Sequence, residues 1–345
     1  MQVAINTRVL AAHTTGVQRY TTELLCRWNG DVERIAPRGR SLHGLAGHAW
    51  EQLVLPRKLR GRCLFSPSNT GPLEVRNQVV TIHDMSAFDY GEGFNPRFAA
   101  WYQFLVPRLA RRARKIITDS KFIKGRILTL TGVTPEKVSV IYCGVDSRFC
   151  PEAIAQVDKV VEALKLRSRH YVLAVGSMEP RKNLARLFQA WERVECRIAE
   201  DVWLVVAGAG GNSRVFAGVR FDPLPARVFL AGHVEEHLLP GLYAGAIAMA
   251  YPSIYEGFGL PPLEAMASGT PVLAGNRSSL PEVVGDAGLL VDPFDAEAIG
   301  EGIGRLVEDA TLREQLRQKG LRRAKQFTWE ETARRTWDAL QAATG

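Results

Sequence analysis

Two glutamates, Glu256 and Glu264, stand eight residues apart in the segment YPSIYEGFGLPPLEAMASGTPVLA. The small and apolar run up to Tyr251 reads as a strand, and Glu256-Gly257-Phe258-Gly259 as the loop that leaves it. Pro261 and Pro262 suit the first turn of a short helix, and Gly269 suits its C′ position. A helix N-terminus at the carboxyl end of a strand, with glycines that let backbone N–H groups approach, can hold an anion. Carboxylates beside such a site repel the anion unless they accept hydrogen bonds from something else, and sugar or ribose hydroxyls are natural donors. A diphosphate carrying a sugar at each end meets all of these demands. An ordinary helix cap with one exposed and one paired glutamate fits the same residues without chemistry.

Further residues stand where ligands bind, just after strands. Arg181 and Lys182 follow the run Tyr171–Val175 and precede a helix, where two cations could face developing negative charge or simply be solvated. His83 and Asp84 follow the run Val79–Ile82; a histidine there is either a satisfied structural residue or a polar donor to a ligand. Gly16 precedes the first helix and would let backbone amides approach a phosphate or an acceptor. Two other patterns mislead. His233-Val234-Glu235-Glu236-His237 fits H-x-x-E-H, but His233 closes a strand and no third zinc ligand follows. The glycines of Gly208-Ala209-Gly210-Gly211 lack the G-x-G-x-x-G spacing and suit a turn.

The elements that must position these residues alternate along the chain. Strands are expected at Val3–Ile5, Cys63–Ser66, Val79–Ile82, Lys115–Thr118 and Val138–Tyr142. A second series is expected at Tyr171–Val175, Val202–Ala207, Val228–Ala231, Ala246–Ala250, Pro271–Ala274 and Leu289–Val291. Amphipathic helical stretches lie between them, which implies parallel sheets covered on both faces. The segment Gly144–Arg169 separates the two series. The expected fold is therefore α/β, with two doubly wound Rossmann-like domains facing a cleft, 1–152 and 165–327, and ligands beyond the carboxyl ends of the strands.

At 345 residues, with 46% apolar and 23% charged residues, the chain has ordinary globular composition, which excludes disordered, collagenous and disulfide-knotted classes. Its five cysteines, Cys26, Cys63, Cys143, Cys150 and Cys196, form no CxxC pair, so a reducing, cytoplasmic compartment is expected. The start MQVAINTRVL carries Arg8 where a secretory apolar region would run. The uncharged run Leu238–Tyr255 is broken by Pro240, Gly241, Gly245 and Pro252, and so reads as a turn, a helix and a buried strand rather than a membrane span. Charge is uneven: residues 1–150 hold 22 Lys and Arg against 11 Asp and Glu, the remainder 22 against 25. The stretch Asn95–Lys115 reads as a helix, with Asn95 as N-cap, Pro96 at the first position, and an apolar face of Phe98, Trp101, Tyr102, Leu105 and Leu109. Its basic end, PRLARRARK, would suit an anionic lipid surface, with Arg108, Arg111, Arg112 and Lys115 contributing. No nucleic-acid signature accompanies the charge, so no nucleic-acid partner is expected.

The segment EGFGLPPLEAMASGTPV closely resembles the E-x7-E signature of retaining glycosyltransferases of family 4, which adopt the two-domain GT-B fold. VGSMEPRKNLARL, VFLAGHVEEHLLPGLYAGA, VVTIHDMSAF, TDSKFIKGRI with VSVIYCGVDSRF, and TGVQRYTTEL resemble further segments of that family in the same order. The resemblance implies a hexosyltransferase acting on a nucleotide-diphosphate sugar, with GDP favoured as the nucleotide and mannose or a related sugar transferred. The acceptor would be a saccharide or lipid-linked hydroxyl in bacterial polysaccharide or glycolipid synthesis. The enzyme would work in the cytoplasm, with peripheral contact on an anionic membrane, no cofactor and no essential metal.

Residue by residue, the resemblance implies that Glu264 holds the ribose hydroxyls and that Glu256 contacts the transferred sugar near its anomeric centre. The amides of Gly257, Phe258, Gly259 and Leu260, with Gly16, would contact sugar and diphosphate. Arg181 and Lys182 would neutralise the leaving diphosphate, and the loop of His233 and Val234 would hold the nucleobase. His83 would hydrogen-bond the sugar while Asp84 orients its loop, and the helix 328–345 would return to the first domain. The resemblance departs at Ser177, where some members of the family carry an additional arginine; either Arg181 takes over that contact or one phosphate contact is absent. The alternatives are a two-domain NAD(P)-dependent oxidoreductase, which needs a glycine fingerprint after a first strand, and an exported solute receptor, which needs a signal peptide.

Overall fold

A computed structural model describes residues 3–11, 15–28, 32–37, 44–208 and 224–344. Its strands are short, and every pairing among them is parallel. The first sheet contains β1 (Val3–Asn6), β2 (Val32–Ile35), β3 (Cys63–Ser66), β4 (Gln78–Thr81), β5 (Lys115–Thr118) and β6 (Val138–Val140), in the order β2-β1-β3-β4-β5-β6. The second contains β7 (His170–Val175), β8 (Val202–Ala207), β9 (Val228–Gly232), β10 (Ala248–Tyr251), β11 (Val272–Gly275) and β12 (Gly288–Val291), in the order β12-β11-β10-β7-β8-β9. The strand order reverses between β1 and β3 in the first sheet and between β7 and β10 in the second. A doubly wound sheet opens a ligand-binding crevice at such a reversal.

The chain divides into two units. One comprises Met1–Asp89, Arg97–Gly144 and Thr328–Gly345, the other Tyr90–Pro96 and Val145–Phe327. The chain passes from the first unit to the second after Gly144, at the start of the segment Gly144–Arg169. Gly144 is required there: a Cβ would lie 2.1 Å from the backbone nitrogen of Trp329, where the chain returns. The helix Trp329–Thr344 belongs to the first unit. Its Trp329 is buried, with its ring 6.3 Å from that of Tyr20, and its Ala333 carbonyl accepts from Trp28 Nε1 at 3.1 Å.

In the second unit the helix Leu184–Val194 buries Leu184, Leu187, Phe188, Trp191 and Val194, a helical stripe, against Val172, Leu204 and Val206 of the sheet. The neighbouring helix Ala296–Glu308 approaches closely because Gly300 and Gly304 face it; a Cβ on Gly300 would lie 2.9 Å from the Ala190 carbonyl. The first unit packs Ala4 and Leu64 against Ile35, Trp50, Leu55 and Leu59.

One expectation shifts. The helix expected over Asn95–Lys115 runs Pro96–Arg112, because Lys115 already opens β5. The basic residues there also bond within the unit: Arg111 Nε, an Arg112 guanidinium nitrogen and Lys115 Nζ donate to the backbone carbonyls of Thr131, Leu73 and Glu136 at 2.9, 3.0 and 2.6 Å. Among the described residues no helix is long and apolar enough to cross a membrane.

Candidate active site

Arg181 and Lys182 follow β7, and Glu256 follows β10, so the reversal in the second sheet brings them together. Glu256 is buried, and donors converge on its carboxylate. Oε1 accepts from Lys182 Nζ at 2.7 Å, from the Tyr251 hydroxyl at 2.8 Å and from Ser253 Oγ at 2.6 Å. Oε2 accepts from an Arg181 guanidinium nitrogen at 3.1 Å. Burial disfavours the charge, but the Lys182 ammonium and the Arg181 guanidinium outweigh it and hold the carboxyl at about 2. Burial pulls Lys182 below the usual lysine range, with Glu256 opposing that fall.

Residues without a spacing signal in the sequence fix this arrangement. Glu179 Oε2 accepts from Arg181 Nε at 2.7 Å, and Ser177 donates to the same carboxylate. Ser177 thus joins the network that holds Arg181. The Glu256 backbone N–H donates to Ser278 Oγ at 3.0 Å, while Ser279 Oγ lies 2.9 and 2.6 Å from the carbonyls of Glu256 and Phe258. Asn183 Nδ2 donates to the carbonyls of Pro252 and Pro293 at 3.0 and 2.6 Å.

The glycine loop has the expected build. Gly259 caps the helix Leu260–Ala267 at φ +115, a conformation that favours glycine, and a Cβ there would lie 2.9 Å from a Leu280 methyl. Phe258 is buried against the Phe327 ring, Gly257 precedes it in the loop, and Leu260 opens the helix. Glu264, one turn into the helix, is buried and accepts from the Tyr243 hydroxyl at 2.8 Å. His233 is exposed just beyond β9, and Val234 is buried. Among the described residues no group of three or more His, Cys, Asp or Glu side chains is arranged to hold a metal ion. Of the glycine run after β8, only Gly208 lies within the described residues.

The strands leave a ledge without side chains beside this site. Gly176, Gly208 and Gly232 end or directly follow the adjacent strands β7, β8 and β9, all at positive φ. A Cβ on Gly208 would lie 2.0 Å from the Gly176 carbonyl oxygen, so the ledge admits only glycine there.

His83 and Gly16 stand on the first unit. Gly16 opens the helix Gly16–Arg27, and Tyr20 of that helix sets its ring edge on His83 at 4.8 Å. His83 Nδ1 lies 2.6 Å from Asp119 Oδ2 and Nε2 lies 2.8 Å from the Pro67 carbonyl. The imidazole is therefore engaged within its own unit at both nitrogens, and a bond to a sugar would have to displace one of them. Burial lowers its proton affinity, but the Asp119 carboxylate outweighs burial and raises it above the ordinary histidine value. Asp84 accepts from the Ser86 backbone N–H at 2.9 Å and so shapes the turn after β4.

Residues 158–323 match the family described as Glycosyl transferases group 1, and residues 69–149 match Glycosyltransferase Family 4. The O-antigen chain mannosyltransferase B of Escherichia coli is 35% identical over 297 residues, covering 85% of this chain and 78% of that protein. The MMP alpha-(1->4)-mannosyltransferase of Mycolicibacterium hassiacum is 32% identical over 70% of this chain, a match spanning 57% of its own length. Among solved structures, a sucrose-phosphate synthase from Thermosynechococcus elongatus shares the fold at a TM-score of 0.75 and 20% identity, over 99% of each chain. Two parallel six-stranded sheets of this kind are the GT-B architecture. The chain belongs to the glycosyl transferases of group 1 and is a hexosyltransferase.

Proposed function

We propose that this chain is a retaining mannosyltransferase that moves mannose from GDP-mannose to a saccharide or lipid-linked acceptor hydroxyl in bacterial polysaccharide synthesis. The observation that carries this reading is the convergence of Arg181 and Lys182 on Glu256 at the strand reversal of the second sheet. The two cations stand where a leaving diphosphate gains charge, and electrostatic stabilisation there is worth most in the transition state. Glu256 is a poor covalent nucleophile: both of its oxygens are occupied, and its proton affinity is far below that of an ordinary carboxylate. A front-face displacement, in which the leaving phosphate helps take the acceptor proton, needs no such nucleophile. Glu264 is read as the ribose ligand, with the amides of Gly257, Phe258, Gly259 and Leu260 on sugar and diphosphate. His233 and Val234 lie on the nucleobase loop.

Mannose is favoured because three relatives above 30% identity are named mannosyltransferases. Peripheral contact with an anionic membrane is supported by Leu53 and Phe104, which are 61% and 45% exposed on two helices joined by the His48–Trp101 contact. Arg57 and Arg108 stand beside them. Nucleotide release from GDP-, UDP- and dTDP-sugars, with and without EDTA, tests the donor. Turnover of GDP-mannose that survives EDTA is expected. Turnover of only a UDP- or dTDP-sugar overturns the donor, and full loss on chelation restored by Mg²⁺ overturns the metal-independent reading.

A further inference from the structure

The His83 imidazole has no nitrogen to spare. A carbonyl oxygen only accepts, so the 2.8 Å contact with Pro67 requires a proton on Nε2. The 2.6 Å contact with Asp119 Oδ2 requires a second proton between Nδ1 and the carboxylate. The pair therefore holds one proton more than a neutral imidazole beside a carboxylate would. Both residues are buried, with 8% and 3% exposure, so solvent screens the pair little.

The loops after three adjacent strands meet on this pair. Pro67 follows β3, His83 follows β4 and Asp119 follows β5. Asn69, in the loop of Pro67 and at φ +63, accepts from the His83 backbone N–H at 2.6 Å, and its own N–H donates to the Thr81 carbonyl at 2.9 Å. The titratable groups that face the pair are Tyr20, Cys143 and Asp84. Burial first and the Asp119 charge second push the Tyr20 hydroxyl and the Cys143 thiol up, which keeps both neutral, while Asp84 adds negative charge nearby. The site thus favours the extra proton from every side except burial.

We propose that Asp119 is a positioning residue for sugar transfer, which, by sharing a proton with His83, clamps the loop of Pro67 and Asn69 at the carboxyl end of the first sheet. This rests on the reading that His83 belongs to the transfer site. When the extra proton leaves Nε2, a nitrogen lone pair faces the Pro67 carbonyl; when it leaves Nδ1, a lone pair faces the carboxylate. Either loss exchanges a hydrogen bond for a repulsion, and the clamp opens. The pair holds its proton more tightly folded than unfolded, so the clamp is complete at low pH and is lost as pH rises through the folded value.

The test combines two measurements on the full chain. In wild-type protein carrying ¹⁵N-histidine, with the His83 signals assigned by their absence in His83→Gln, both ring nitrogens should read as protonated at neutral pH. For turnover, kcat/KM with GDP-mannose is followed from about pH 6 to about pH 10 in wild type and Asp119→Asn. The alkaline loss of kcat/KM should track the His83 titration, and Asp119→Asn should move it about 1–3 pH units lower. Superimposable profiles, or a His83 with a single protonated nitrogen at neutral pH, overturn the proposal. If Asp119→Asn does not fold, the wild-type nitrogen titration decides. If GDP-mannose is never consumed while both nitrogens are protonated, the clamp is supported and the donor assignment falls.

Discussion

Lys182 Nζ lies 2.7 Å from Glu256 Oε1, so the cation expected to meet a diphosphate is already paired with a carboxylate in the same site. Donor binding must therefore share or exchange that partner. Glu256→Gln keeps the shape and removes the charge, releasing both Lys182 and Arg181. We expect GDP to bind the variant at least as tightly and transfer to fall by about 10–150-fold, the worth of a lost charged hydrogen bond. Calorimetry with GDP and initial-rate nucleotide release check the two halves separately.

Glu264 should behave in the opposite way. It accepts from Tyr243, and its proposed work is to hold ribose hydroxyls that the donor keeps throughout the reaction. Glu264→Ala should weaken GDP binding by about 10–150-fold, and Tyr243→Phe by less, since it removes only the group that orients the carboxylate. Unchanged calorimetric affinity in Glu264→Ala would remove the ribose assignment.

Glu179 has a positional task that activity can read. With its carboxylate 2.7 Å from Arg181 Nε, it fixes the guanidinium that reaches Glu256. Glu179→Gln should lower kcat on the order of tenfold, with the acceptor KM unchanged, because the guanidinium acts on the leaving group and not on a neutral sugar. A change confined to the acceptor KM would contradict this.

Acid stability offers a test without substrate. The Glu256 carboxyl is held at about 2, below its ordinary 4.5, so its pairing stabilises the fold fully above 4.5 and is lost as pH falls toward 2. In urea unfolding, the difference between wild type and Glu256→Gln should be constant above that window and shrink within it. A difference independent of pH would show that the pairing contributes nothing.

The ledge beside the site can be broken at one position. Gly208→Ala would put a methyl 2.0 Å from the Gly176 carbonyl oxygen at φ +146 and force the ends of β7 and β8 apart. We expect a loss of about 1–3 kcal/mol in unfolding free energy, or no soluble protein. Gly132→Ala, at a helix C-cap with open space around it, serves as the control, with a loss on the order of 1 kcal/mol.

The alternation of strands and helices was legible because central strands of a parallel sheet are buried on both faces and read as short apolar runs. β2 was not: in Val32–Ile35 only Ile35 is buried, Glu33 and Arg34 are exposed, and at a sheet edge nothing demands an apolar run. The charged members of the site announced themselves by standing just after strands, as Arg181, Lys182 and Glu256 do. Their keepers did not. Ser279, Tyr243 and Asp119 carry no spacing signal, because tertiary folding alone brings them to Phe258, Glu264 and His83. The same limit hid the occupancy of His83: its type and place suggested a donor to a ligand, but only the fold brings Asp119 and Pro67 to its two nitrogens.

The first unit is assembled from both sides of the second in sequence. Trp329, buried against the helix that carries Tyr20, lies some three hundred residues downstream of that helix. Translation proceeds at about 5–20 residues per second, so the early sheet waits tens of seconds for the helix that completes its core. The second unit, apart from its short Tyr90–Pro96 segment, is one continuous stretch and can begin to fold during that wait. A growing chain of this protein should thus leave its earlier unit open to protease until the helix Trp329–Thr344 has been made, and that unit's exposed core is the state in which a ribosome-associated chaperone would find it.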